Sequence, residues 1–488
     1  MVSKPVELGE ESLGGNKLAK KVELNQAPRG WGALAMIGPG VVWAGLAIGG
    51  GELVLIPRVG SVYGMMFLWM PILAIALKYF MVNEIGRWSV ATGTTIIDGL
   101  AMIPGPTKWL TWILLFVALY LGAVHIGGLV AMVGIIFYNI VKVFTPFVWS
   151  IVIMVSFVAL SWTNRYSILE RVLMVTVGVL TISVVIIGLA YFPPLRDLIE
   201  GFMLRIPSVT PEWAVKNYKI SSTPMVEILP AMAFAGCGAV NSLWYSDWVL
   251  SKKVGLGKYF DGLENTAVKY EDLRNLDQSA VAKVRGWVRV MFHDSLWGAN
   301  VLTIVVSFFY LVLAIVILYP MQQAPGGMKF IMTLSQCFTE TLGPWAKWLY
   351  LLGAFAVIYS TMATIYDGYA RTINKLILIC LPGWEGYKKV SHLWRYRIWY
   401  LYGTCANFFL VYAFNAVPVN FLQAAAWVEG TFLFPVVAFA VAYLTAKKLP
   451  SLYSESTRAL IKPHWIFTLG TIVAGVFYIL LIGVLIFQ

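Results

Sequence analysis

The feature that most limits this chain is a series of apolar runs, each about as long as a membrane is thick. A helix needs about 20 mostly apolar residues to cross the hydrocarbon core. Eleven such segments follow one another, near 31–61, 64–86, 109–138, 146–162, 168–192, 225–250, 291–319, 345–368, 398–414, 417–446 and 463–488. Inside a bilayer every backbone polar group has to be satisfied without water, so the runs read as helices. Composition agrees, with 59% of the 488 residues apolar and 12% charged, against about 25% charged in soluble domains. A soluble globular domain and a disordered chain are therefore excluded. Cys237, Cys337, Cys380 and Cys405 are scattered and form neither a disulfide framework nor a zinc spacing. The expected class is an all-α polytopic membrane protein with about 11 transmembrane helices.

The net charge of +12 takes its meaning from where the basic residues fall. With the N-terminus in the cytoplasm, roughly three-quarters of the Lys and Arg residues lie in the tail and the inner loops, the bias that orients membrane proteins. Lys17, Lys20 and Lys21 belong to a cytoplasmic tail over residues 1–30. The longest inner loop, 251–289, mixes Lys252, Lys253, Arg274, Lys283, Arg285 and Arg289 with many acids, and reads as a solvated loop with a short amphipathic helix. No nucleic-acid partner is expected. The expected location is the plasma (inner) membrane, with the C-terminus outside. Ser167 and Glu170 have capping-box spacing at the start of the fifth segment.

Two segments carry interruptions. Gly49-Gly50-Gly51-Glu52 breaks the first, and Gly236-Cys237-Gly238-Ala239-Val240-Asn241 breaks the sixth. Each Gly weakens a helix by about 1 kcal/mol relative to Ala, and both runs fall roughly 17 Å from either membrane face. Packing faces of small residues are spaced by four, whereas Gly49 to Gly51 are contiguous. Paired breaks five helices apart mark secondary transporters built from inverted repeats. The expected organisation is a five-helix repeat over 31–192, an extracytoplasmic loop over 193–223, a second five-helix repeat over 224–446, and a cytoplasmic loop with helix 11 over 447–488. Helices 1 and 6 are discontinuous.

Ionisable groups deep in a membrane cost at least about 2.5 kcal/mol each and point to function. Glu52, Lys78, His125 and Glu429 are the deep ones. Lys78 also fits a structural ion pair, and His125 and Glu429 fit hydrogen bonds between helices. Asp247, Asp294 and Asp367 fall near the inner face and read as gate or loop ion pairs rather than substrate ligands. At the breaks, unwound carbonyls, the Glu52 carboxylate and the Asn241 amide oxygen make an oxygen-rich site, as Mg²⁺ and Mn²⁺ prefer. Gly49, Gly50, Gly51, Gly236, Cys237 and Gly238 complete the candidate ion or substrate site. Cys237 is either a soft ligand or a small buried residue. Lys78, His125, Glu429 and Asp247 are the coupling or gating candidates.

Several stretches resemble the NRAMP divalent metal transporters, within the larger group that shares the LeuT-like fold. They are Gly38-Pro39-Gly40, Arg87-Trp88-Ser89-Val90-Ala91-Thr92-Gly93, and Leu342-Gly343-Pro344-Trp345 with Gly353 and Ser360-Thr361 beyond it. The resemblance implies a LeuT-like 5+5 inverted repeat and a metal-ion cargo. The family's first-helix motif is Asp-Pro-Gly-Asn, where this chain has Gly49-Gly50-Gly51-Glu52. Its sixth-helix motif is Met-Pro-His-Asn, matched here by Gly238-Ala239-Val240-Asn241. The soft Met ligand is absent, which shifts the expected preference toward harder ions such as Mg²⁺. A downstream histidine is replaced by Tyr245 or a neighbour.

The leading expectation is a secondary transporter moving a cation, of the Mg²⁺/Mn²⁺ class, by alternating access, with Glu52 and Asn241 as metal ligands and H⁺ or Na⁺ as a coupling ion. The alternative is a LeuT-like transporter of a small organic solute such as an amino acid or amine. No cofactor is expected, and no GxSxG, HExxH or phosphate-loop motif suggests an enzyme.

Overall fold

The computed structural model describes residues 23–162, 166–261, 266–414 and 418–488. Lys17, Lys20, Lys21 and the Glu170 side chain lie outside the described residues. The long helices are α1 (Pro39–Phe67), α2 (Trp69–Thr92), α3 (Trp109–Ile140), α4 (Pro146–Trp162), α5 (Tyr166–Ala190), α6 (Pro224–Ser251), α7 (Gln278–Leu318), α8 (Ala346–Cys380), α9 (His392–Phe414), α10 (Pro418–Ser451) and α11 (Trp465–Phe487). Seven of them are long and apolar enough to span a membrane on those grounds alone, or eight when α5 is taken with Leu195–Gly201, which bends away by 113°. The exceptions have visible causes. The α2 helix carries Lys78, Glu84 and Arg87, α4 has 17 residues, and α9 carries Arg395 and Arg397.

Helix ends depart from the apolar limits where charged residues continue the turn. The amphipathic helix expected within 251–289 is the opening of α7 itself, which runs without a break from Gln278 into the membrane. Val281, Val284, Val288 and Met291 bury one face of it. Likewise α8 runs past residue 368 to Cys380, with Arg371 and Lys375 on its extension. Backbone hydrogen bonding does not stop at the membrane face, so hydropathy alone ends these helices too soon. Large apolar side chains such as Phe116, Ile182, Phe409 and Leu480 remain exposed on the outside of the bundle, as a lipid-facing surface requires.

The two interruptions differ. In α6 the helix ends at Phe234 and restarts at Ala239, giving α6a (Pro224–Phe234) and α6b (Ala239–Ser251). Gly236 in this gap has φ +75°, a conformation that favours glycine. In α1 the interruption is shorter. The turn at Ile48 and Gly49 is followed by a π-helical turn over Gly51–Leu55 that holds Glu52. The three glycines there also permit close approach, since a side chain on Gly49, Gly50 or Gly51 would strike Thr361, Leu422 or the Phe234 carbonyl respectively.

A carboxylate joins three helices at one end of the bundle. Asp294 on α7 accepts hydrogen bonds from Gly38 N and Gly40 N at the start of α1, both at 2.7 Å, and from the Tyr245 hydroxyl on α6b at 2.7 Å. Gly40 fits because any Cβ would press on the Asp294 and Ala299 backbone. Hydrogen bonds to a charged acceptor contribute about 1.5–3 kcal/mol each. Asp294→Asn is therefore expected to lower the thermal midpoint of the purified protein by several degrees. An unchanged midpoint would show that the carboxylate charge contributes nothing here.

Candidate functional site

The gap in α6 leaves unpaired backbone groups on both sides, and four buried side chains take them up. At the C-terminal end of α6a, the Lys78 ammonium on α2 donates to the carbonyls of Ala233 and Ala235, both at 2.7 Å, with Met232 O at 3.4 Å. Tyr478 on α11 donates to Met232 O at 2.7 Å. At the N-terminal end of α6b, Glu429 on α10 accepts from Asn241 N at 2.8 Å. Within the gap, Glu52 on α1 accepts from Gly236 N at 2.6 Å. The signs follow the helix dipole, with a cation at the carbonyl end and an anion at the amide end.

Two sequence expectations change in this arrangement. The α6a carbonyls that were to coordinate a cation already hold one supplied by the chain. Lys78 itself forms no ion pair among the described residues, so the carboxylate bridge is replaced by carbonyl capping. Both deep carboxylates sit in π-helical turns, Glu52 in Gly51–Leu55 and Glu429 in Trp427–Phe432. Such turns concentrate at functional sites.

Beside the gap lies a small cavity of about 20 Å³, room for about one water-sized species. Gly50 and Gly51 from α1, His125 from α3, Gly236, Cys237, Gly238 and Asn241 from α6, and Thr361 from α8 line it. Asn241 Oδ1 and Thr361 Oγ1 are buried and have no hydrogen-bond partner among the described residues. Cys237 donates its thiol to the Trp43 carbonyl at 3.6 Å. Gly49 and Glu52 are not on the wall. Glu52 stands one hydrogen bond away through Gly236, and its Oε2 is buried with no hydrogen-bond partner among the described residues. Glu429 lies against Gly238, where a side chain would collide with its carboxylate. His125 Nδ1 is 3.3 Å from the Tyr369 hydroxyl and 3.8 Å from Glu429 Oε2, and its ring stacks on Phe234. No group of three or more His, Cys, Asp or Glu side chains forms a metal cluster among the described residues. Sequence reasoning missed Thr361 as a site residue, because nothing in the sequence sets it apart from a threonine bonded to its own helical turn.

Polar groups flank the cavity on both sides along α6. Toward the end of α6b, Asp247 lines a cavity of about 80 Å³ with Asp367 and Arg371 of α8, which pair at 2.8 Å. The Trp244 indole lines this larger cavity, packed on Gly368 and donating to Thr372 at 2.7 Å. Tyr245 lines neither cavity and donates its hydroxyl to Asp294. On the other side, Glu227 of α6a pairs with Arg58 of α1 at 3.0 Å and accepts from Gln423 of α10 at 2.6 Å. Arg58 also donates to the Pro325 carbonyl. This buried network ties α1, α6a and α10 together on that side, and removing one partner of such a pair costs about 3–5 kcal/mol. In a Cys405→Ala background, Glu227→Gln is expected to raise the labelling rate of Cys237 by an impermeant thiol reagent, applied from that side, by about tenfold or more. Unchanged labelling would show that the pair does not hold the path shut.

A membrane bundle with two helices interrupted at mid-depth, and buried charges gathered at the interruptions, is a secondary transporter of LeuT-like fold. The chain matches the model of the family described as natural resistance-associated macrophage protein-like over residues 40–483. It belongs to the Nramp family. The manganese transporter of Eremococcus coleocola is similar in structure, with a TM-score of 0.64 and 15% identity, covering 94% of this chain and 89% of that one. MhsT in complex with L-phenylalanine gives a TM-score of 0.52 at 13% identity, covering 94% and 99%. At these identities the likeness is one of fold. An uncharacterised protein of Pasteurella multocida (strain Pm70) is 25% identical over 355 residues, 71% of each chain.

Proposed function

We propose that this chain moves a small divalent cation of the Mg²⁺/Mn²⁺ class by alternating access, with the cavity between α1, α3, α6 and α8 as the ion site. The observation that carries the reading is the cavity's size and chemistry together. About 20 Å³ suits a dehydrated ion, whereas an organic solute takes a cavity of roughly 300 Å³ or more. Its two unpartnered buried oxygens, on Asn241 and Thr361, are hard donors. Glu52 and Glu429 supply negative charge one hydrogen bond away. The fold shared with a manganese transporter supports the same cargo class.

In this reading Asn241 is a ligand, Glu52 neutralises the ion's charge, and Gly49 to Gly51 let α1 approach it. Lys78, His125 and Glu429 form the polar surround through which H⁺ or Na⁺ coupling would act, and Asp247 lies on the inner path. The N-terminus is cytoplasmic and the C-terminus extracytoplasmic, in the plasma (inner) membrane, as the Lys and Arg distribution supports. The repeats are 31–192 and 224–446, joined by the extracytoplasmic loop 193–223, with 447–488 added after the second.

Flux into proteoliposomes tests this. The expected result is saturable Mn²⁺ uptake competed by Mg²⁺, with counterflow. Imposed H⁺ and Na⁺ gradients identify the coupling ion. No uptake of or competition by any divalent ion, together with counterflow of an amino acid or amine, would replace the metal reading with the organic-solute one.

A further inference from the structure

A third cavity, far larger than the ion site at about 520 Å³, lies where the chain leading into α1 crosses the start of α7. Its third wall includes Leu460, ahead of α11. Arg29, Lys283, Arg285, Arg289 and His293 line it, and among the described residues no acidic one does. Among the described residues none of the four Lys and Arg side chains forms an ion pair or a hydrogen bond. His293 Nδ1 is buried and also without a partner.

The cleft is built rather than incidental. Arg285, Arg289 and His293 recur every four residues and so share one stripe of α7, beside the face that its buried valines occupy. Like charges at that spacing destabilise a helix unless an anion offsets them. The opposing strand of chain is pinned in place, because Trp287 donates its indole N–H to Asn25 O at 3.0 Å and Gly286 gives room to Ala27. Each of the three walls also carries an exposed tryptophan close by. Trp31, Trp297 and Trp465 are 87%, 50% and 65% exposed. Exposed tryptophans mark headgroup depth in membrane proteins, and basic pockets between helices at that depth take phosphate groups.

We propose that this cleft is a binding site for a phosphate-bearing anion, held by Arg29, Arg285 and Arg289 with Lys283 and His293 beside them. The same chemistry is offered by an anionic lipid headgroup and by a soluble phosphate compound. A bound anion bridges the segment leading into α1 to α7, one residue before Asp294, whose carboxylate holds the start of α1. The site thereby sets how firmly α1 is anchored. The proposal goes beyond the transport reading and does not depend on which ion is carried.

The test uses the full chain in uncharged detergent, with native mass spectrometry and thermal midpoints. Phosphatidylglycerol, phosphatidylcholine and inorganic phosphate are the probes. Expected for a lipid source is stoichiometric retention of phosphatidylglycerol with a midpoint rise of several degrees, and neither effect from phosphatidylcholine. An equal rise with millimolar inorganic phosphate also supports the site and assigns it to a soluble phosphate. In either case R285E/R289E abolishes the effect, while K388E/K389E, outside the cleft, keeps it. The milder R285Q/R289Q is expected to melt like wild type without ligand and to bind about tenfold or more weakly. No effect of either anion, or an effect that survives in R285E/R289E, would overturn the proposal.

Discussion

Replacing Asn241 with leucine and Thr361 with valine together is expected to weaken Mn²⁺ binding by at least about thirtyfold, while the protein stays folded. Each lost oxygen ligand costs about 1–3 kcal/mol of ion binding, so the pair amounts to at least about 2 kcal/mol. Stability moves the other way. Asn241 Oδ1 and Thr361 Oγ1 are buried and have no hydrogen-bond partner among the described residues. Removing an unpaired buried polar atom relieves a desolvation cost. The double variant should therefore melt at or slightly above the wild-type midpoint, with titration calorimetry showing the affinity loss. Unaltered affinity would remove both residues from the ion site. A drop of several degrees in the midpoint would mean that they act in the fold instead.

Lys78→Met is expected to have the largest effect on stability. It leaves the carbonyls of Ala233 and Ala235 uncapped and removes the positive charge beside Glu52 and Glu429. Taking one partner from a buried charged cluster costs about 3–5 kcal/mol, enough to lower the thermal midpoint by many degrees. Lys78→Met combined with Glu52→Gln is expected to recover part of that loss, because the uncompensated charge is smaller. Full additivity of the two substitutions would indicate that Lys78 acts on the carbonyls alone. A wild-type midpoint in the single variant would rule out the capping role.

These two outcomes mark where sequence reasoning reaches and where it stops. Segment positions were legible because a hydrocarbon solvent punishes every polar residue, so apolar runs and their glycine interruptions stand out. Gly236 and its neighbours could be read as a break in the sixth helix from their run of small residues. The family match and the LeuT-like fold followed the same pattern. What Lys78 touches was not legible. Its partners are backbone carbonyls, which every residue carries, so no side-chain code marks them. Thr361 was hidden for a related reason. A threonine in a membrane helix ordinarily bonds back to its own turn, as Thr364 does to Ser360, and only the fold shows that Thr361 does not. The opening of α7 was misplaced as a separate loop helix because charge ends an apolar run without ending a helix.

The Asp294 junction constrains how such a carrier can move. One carboxylate holds α1, through Gly38 and Gly40, and α6b, through Tyr245, to α7. A single helix cannot swing out at that end without forfeiting bonds that the other two retain. The three must either travel together as one plate or come apart in a single event. The first route would make opening a shallow rotation with little enthalpy, and the second an all-or-none release with a steep temperature dependence. The transport rate measured against temperature, in wild type and in Asp294→Asn, therefore reads out the mechanics of this end of the bundle. Near-equal slopes indicate the plate, and a much flatter slope in the variant indicates the release.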